Sequence, residues 1–210
     1  MKFENTAVMN MDNAFRGMRN PLESWGKNDS YMDEGHFILG EKDLILATKL
    51  IKGGTEHRKF LRQILVSVDI TAPLYFYKEF DTYKVGTVAN STSTMHKIMS
   101  NEFSLDMFEW DDFAPEDLAT REAIMQLWTD NLAILNSLRV VYLDTQDKFW
   151  WKELIRFLPS SWLQTRTVTM NYENLMSMYY HRRNHKLTEW HFYCDWIETL
   201  PYAQALFGIG

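Results

Sequence analysis

The stretch ILVSVDITAPLYFYKEF, residues 64–80, constrains this chain most, because its apolar period changes from two to a helical one across a proline. Phe60, Ile64, Val66, Val68 and Ile70 share one parity, with Gln63, Ser67 and Asp69 on the other, which is the alternation of a half-buried strand. Arg62 is the exception on the apolar face. Proline lacks the amide hydrogen that a first helical turn leaves unpaired anyway, so Thr71 and Pro73 predict a helix start. LYFYKEFDTY would form that helix, and Gly86 follows its end. An all-helical scaffold is excluded if the 60–70 segment is a strand leading into this helix.

The remaining elements read from spacing and punctuation. The first forty residues are polar, contain Asn20-Pro21, Gly26 and Gly35, and predict a short element plus loops. EKDLILATKLIK, 41–52, places Leu44, Ala47, Leu50 and Ile51 at helical spacing before Gly53-Gly54. A long amphipathic pattern runs from about 115 to 142, and DKFWWKELIRF forms a second helix that stops before Leu158-Pro159. RTVTM, 166–170, predicts a strand, Asn171 can cap a helix running to about 183, and Leu187, Trp190, Cys194 and Ile197 mark a last buried stripe. The fold class expected is α+β, with long helices on a small, mostly antiparallel sheet. One domain over 1–210 is expected, with 1–40 as a peripheral amino-terminal segment.

Composition narrows the function classes. A formal charge of −6 argues against a nucleic-acid surface. The lone Cys194 rules out an internal disulfide and fits a reducing compartment, so the expected location is the cytoplasm. The first twenty residues contain Glu4 and Asp12 and no apolar block, so no signal peptide or membrane anchor is expected. Eight Trp and twelve Met supply large, adaptable side chains suited to subunit contacts. His181, His185, His191 and Cys194 lack the paired spacing of a structural zinc motif, and no metal is expected. HRRNHK, 181–186, reads as a phosphate-binding cluster or as a solvated helix end. No Walker, dinucleotide-binding, G-x-S-x-G or H-E-x-x-H motif is present.

Read in order, several segments resemble the flavin-dependent thymidylate synthase family. AFRGMRN, 14–20, is similar to the family's A-x-R-x-x-R, and VDITAPLYFYKEF, 68–80, resembles the strand, Ala-Pro junction and helix before its signature. DTYKVGTVANSTSTMH stands in place of that signature, R-H-R-x-x-S followed by N-E-x-S-x-R-Y. LPSSWLQTRTVTMNYENLMSMYYHRR, 158–183, resembles the family's L-P, strand, Asn and helix ending in Arg, and LTEWHFYCDWI resembles its closing helix. The similarity spans roughly 10–200, with 101–145 too divergent to place.

The resemblance implies a homotetramer with active sites at subunit interfaces, acting in nucleotide biosynthesis. It implies a methyltransferase that moves a one-carbon unit from methylenetetrahydrofolate to C5 of dUMP, with hydride from FAD reduced by NADPH. Catalytic roles fall on Tyr83, Lys84 and Ser93. Cofactor contacts fall on Tyr83, Lys84, Thr87, Asn90, Asn171 and Arg182, and pyrimidine-nucleotide contacts on Glu79, Thr82, Ser91, Thr92, Ser93, Thr94 and Arg182. The departures are specific. The signature's three cations are Thr82, Tyr83 and Lys84, its later Arg and Tyr are Met95 and His96, and an Arg expected two residues beyond Asn171 is Glu173. The Gln before the signature is Glu79, which repels phosphate. Arg16, Arg19, Arg156, Arg166 and Arg183 are the cations that could compensate from another subunit. A catalytically altered or inactive descendant, kept as a nucleotide-binding or interaction module, remains open beside the synthase.

Overall fold

The structure is a computed structural model and describes residues 1–93, 97–110 and 117–209. Strand β1 (Lys2–Met9) precedes α1 (Met11–Gly17), and a small hairpin pairs β2 (Tyr31–Asp33) with β3 (His36–Ile38) antiparallel. Then follow α2 (Glu41–Lys52), β4 (Leu65–Pro73), α3 (Leu74–Phe80) and β5 (Val88–Ser91). The second half comprises α4 (Leu118–Thr145), α5 (Lys148–Phe157), β6 (Leu163–Asn171), α6 (Tyr172–Arg182), α7 (Thr188–Glu198) and α8 (Ala203–Phe207). The main sheet is antiparallel and has the order β1-β4-β6-β5. This is the α+β class expected, and β4 running into α3 excludes the all-helical scaffold.

Contacts group the chain into two compact units of interleaved segments, one comprising chiefly 71–81 and 91–166, the other 2–70, 82–90 and the residues from 167 onward. In the larger unit Ile64, Val66, Val68 and Ile70 are fully buried, as their parity requires. Alternation extends too far back, however. Residues Arg58–Gln63 form a 3-10 helix, so Phe60 is buried from a helical turn and Arg62 points outward rather than sitting on an apolar strand face. Trp190, Cys194 and Ile197 are buried on α7, and Tyr193 beside them donates its hydroxyl to the sulfurs of Met170 at 3.1 Å and Met178 at 3.3 Å. Burial pushes the Cys194 thiol up to about 11, so it is a packing group and no nucleophile at neutral pH.

The amino-terminal segment holds more regular structure than its polarity suggests. β1 shows no alternating burial, since most of its residues are exposed, and the sequence carries no period for it. Phe3 stacks on Trp196 with centroids 5.1 Å apart and planes 6° from parallel. Arg19, 4% exposed, bonds Asp43 at 2.6 Å, and the same carboxylate accepts from Ser30 N at 3.0 Å and Ser30 Oγ at 2.6 Å. That buried pair knits the turn after α1 to the start of α2, and it commits Arg19 to architecture.

In the smaller unit α4 and α5 form a hairpin over Ile98, Met99, Phe103, Phe108, Leu135 and Leu154. Asp117 and Asp147 cap the two helices, accepting from Thr120 N at 3.0 Å and Phe149 N at 2.9 Å. Asn136 clamps the backbone of Phe103 with two bonds, 2.8 and 2.9 Å, and Arg139 bonds the Met99 carbonyl at 2.9 Å. These bonds fix the 97–110 segment on α4.

The helix after Pro73 begins at Leu74 as expected, but its cap and its end differ. β4 runs through Pro73, and Thr71 caps nothing: its hydroxyl lies 2.7 Å from that of Thr165. The helix stops at Phe80, leaving 81–87 as a loop.

Candidate functional site

In the larger unit, the loop 82–90 lies on α6. Asn171 caps that helix, its Oδ1 accepting from Asn174 N at 3.0 Å, while Asn174 Oδ1 accepts from Asn171 N at 3.2 Å. Asn174 also donates to the Val85 carbonyl at 2.8 Å. Gly86 has φ +74°, and a Cβ there would come within 2.8 Å of Asn171 Nδ2. Only glycine lets the loop approach the helix start this closely. Arg182, at the far end of α6, donates to the Tyr83 hydroxyl at 2.9 Å, and its guanidinium lies 4.9 Å from the Trp190 ring. The lysine of the triplet, Lys84, is exposed.

Thr87 has a buried hydroxyl oxygen with no hydrogen-bond partner among the described residues. An orphaned hydroxyl of this kind costs about 1–3 kcal/mol unless something outside the chain satisfies it. Glu173 does not face outward as a bare carboxylate. Arg58 bonds one of its oxygens at 2.9 Å and Arg62 the other. Two guanidiniums on one carboxylate leave the trio with one positive charge in excess, so the acidic substitution is more than offset locally. The sequence pattern set Arg62 on a strand face and did not single out Arg58, whereas both belong to a 3-10 helix and bond Glu173 on α6.

In the smaller unit, Thr92 is pinned to β6. Its N–H donates to Thr165 O at 2.9 Å, its carbonyl accepts from Gln164 Nε2 at 2.9 Å, and its hydroxyl accepts from Thr165 N at 3.3 Å. Thr92 and Ser93 line a cavity of about 130 Å³ together with Lys97, Asn101, Trp162 and Leu163. Glu79 lies on α3, and Ser91 ends β5. Nearby Arg166 sits 3.7 Å over the Tyr77 ring and bonds Asp81 at 2.7 Å. Burial raises the Tyr77 phenol well above its usual range, with Arg166 opposing. Thr82 and Asn90 belong to the larger unit and are exposed. Thr94, Met95 and His96 lie outside the described residues.

The remaining candidate cations bond within the chain: Arg16 to Asn13, Arg156 to Glu153, Arg183 to Asp195. His181 bonds the Ser177 carbonyl and His191 the His185 carbonyl, both at 2.7 Å. Among the described residues no three His, Cys, Asp or Glu side chains converge on a common point.

No family model matches the sequence, and neither does any curated protein sequence. Solved structures do match. A flavin-dependent thymidylate synthase from Helicobacter pylori, complexed with FAD and dUMP, aligns at TM-score 0.67 over 99% of this chain and 97% of its own, at 16% identity. A second structure of the enzyme from that organism, also with FAD and dUMP, aligns over the same shares at TM-score 0.67 and 18% identity. The fold is that of the flavin-dependent thymidylate synthases. Tyr83 and Arg182, far apart in sequence, are joined by one hydrogen bond in this chain, and the segments 82–90 and 91–93 rest on α6 and on β6 respectively.

Proposed function

We propose that the chain binds FAD and a pyrimidine nucleotide such as dUMP, and acts as a thymidylate synthase-type methyltransferase using methylenetetrahydrofolate and NADPH. FAD, when bound, would supply the hydride. The chain's own residues bind and align. Tyr83, Lys84, Thr87, Asn90, Asn171 and Arg182 hold the cofactor. Ser91, Thr92, Ser93 and Thr94, with Thr82, Glu79 and Arg182, would contact the nucleotide. Tyr83 and Lys84 polarise the reacting groups and Ser93 positions the base, since charge placed in advance is the protein's main lever in such chemistry.

The observation that carries the reading is the loop 82–90 seated on α6, with Tyr83 on Arg182, Gly86 on Asn171 and the Thr87 hydroxyl left for a ligand. The groups fit a flavin: the half-buried Tyr83 phenol offers a flat surface, while Lys84, Arg182 and the Arg58–Glu173–Arg62 trio offer positive charge for phosphates. Assembly as a homotetramer belongs to the proposal, and the exposed Leu127 and Ile134, seven residues apart on α4, supply apolar surface for it. Cytoplasmic location is proposed with it; among the described residues no helix is long and apolar enough to cross a membrane.

Purified protein with a flavin absorbance band, or binding of added FAD and dUMP, is the expected result, followed by dTMP formation with methylenetetrahydrofolate and NADPH. Protein that takes up neither ligand refutes the reading. Binding of both without turnover supports the second reading, a catalytically altered relative, which the replacement of the signature cations by Thr82 and Tyr83 favours.

A further inference from the structure

The small cavity of the 71–81 and 91–166 unit sets beside Thr92 and Ser93 three groups that the family resemblance did not single out, Lys97, Asn101 and Trp162. Its volume is about 130 Å³, well below the roughly 300–1,000 Å³ of pockets that enclose drug-sized ligands. That space suits a single ring. Trp162 forms one wall, half-buried, and its indole is held by the edges of Phe103 at 5.6 Å and Phe108 at 5.4 Å. Thr92, also in the lining, is fixed by its three bonds to β6, and the Asn136 clamp on Phe103 holds the chain that carries Lys97 and Asn101. Among the described lining residues Lys97 alone carries a charge. An aromatic wall, small hydroxyls, a carboxamide and one ammonium are the chemistry that recognises a monocyclic base joined to a phosphate.

Resting on the proposed function, we propose that this cavity seats the pyrimidine ring of the nucleotide against Trp162, and that the Lys97 ammonium contacts its phosphate. Lys97 thereby takes over the charge that Met95 lacks. Its long stem and point charge suit a phosphate reached from an exposed position, where a planar fork is not required.

Isothermal titration of wild type, Lys97→Ala, Lys97→Arg and Trp162→Leu with dUMP, deoxyuridine and FAD tests this. Lys97→Ala should weaken dUMP about tenfold, the worth of one charge-assisted contact, and leave deoxyuridine and FAD unchanged. Lys97→Arg should restore most of the dUMP affinity, and Trp162→Leu should weaken dUMP and deoxyuridine together. Wild-type dUMP affinity in Lys97→Ala overturns the assignment, as does a loss confined to FAD. Failure of Trp162→Leu to fold leaves the lysine pair decisive, because Lys97 is exposed. A wild-type chain that binds FAD but not dUMP refutes the cavity assignment while sparing the flavin reading. One that binds neither refutes the functional reading itself.

Discussion

The two halves of the segment 82–93 are held in different ways. Residues 82–90 are tied down by what they touch: Gly86 is pressed onto Asn171, Val85 takes a bond from Asn174, and Tyr83 takes one from Arg182. Thr92, by contrast, spends its backbone and hydroxyl on β6, and Ser93 beside it lines an open cavity. The first half therefore depends on helix α6 for its shape, while the second depends on sheet pairing and leaves room beside it. Under the proposed function, the cofactor would belong to the loop on α6 and the substrate to the small cavity.

Breaking the first half should have the largest effect. Gly86→Ala puts a side chain in the left-handed region, worth about 1–2 kcal/mol, and pushes on Asn171 besides; urea unfolding should show the midpoint fall. Asn171→Ala removes the cap of α6 and should cost about 1 kcal/mol by the same measurement. In the second half, Thr92→Val deletes one hydroxyl acceptor and should cost about 0.5–1 kcal/mol, less than either change on α6. A Thr92 variant that destabilises more than Gly86→Ala would reverse the comparison. Lys84→Ala, at an exposed site, should leave stability within about 0.5 kcal/mol and still lower FAD affinity, which separates ligand binding from folding.

How much of this was legible in the sequence depends on whether the signal was local. Helix 41–52 matches its apolar spacing and its Gly53-Gly54 stop, and Asn171 caps α6 as its position before the helical run implied. The parity of 64, 66, 68 and 70 matches the structure because one sheet face there is fully buried and the other is not. β1 was invisible because an exposed strand needs no alternation, and β5 because Val88–Ser91 has the composition of a turn. Arg58 and Arg62 on Glu173, and Lys97 with Trp162, are brought together by tertiary packing between segments far apart in the chain. No periodicity encodes such meetings.

The most direct test of the central claim is an equilibrium titration of FAD, followed by flavin fluorescence, on wild type and on a Lys84→Ala/Arg182→Ala double variant. The account predicts saturable binding by the wild type and its abolition in the double variant, with far-UV circular dichroism unchanged. Equal FAD affinity in the two proteins would contradict it.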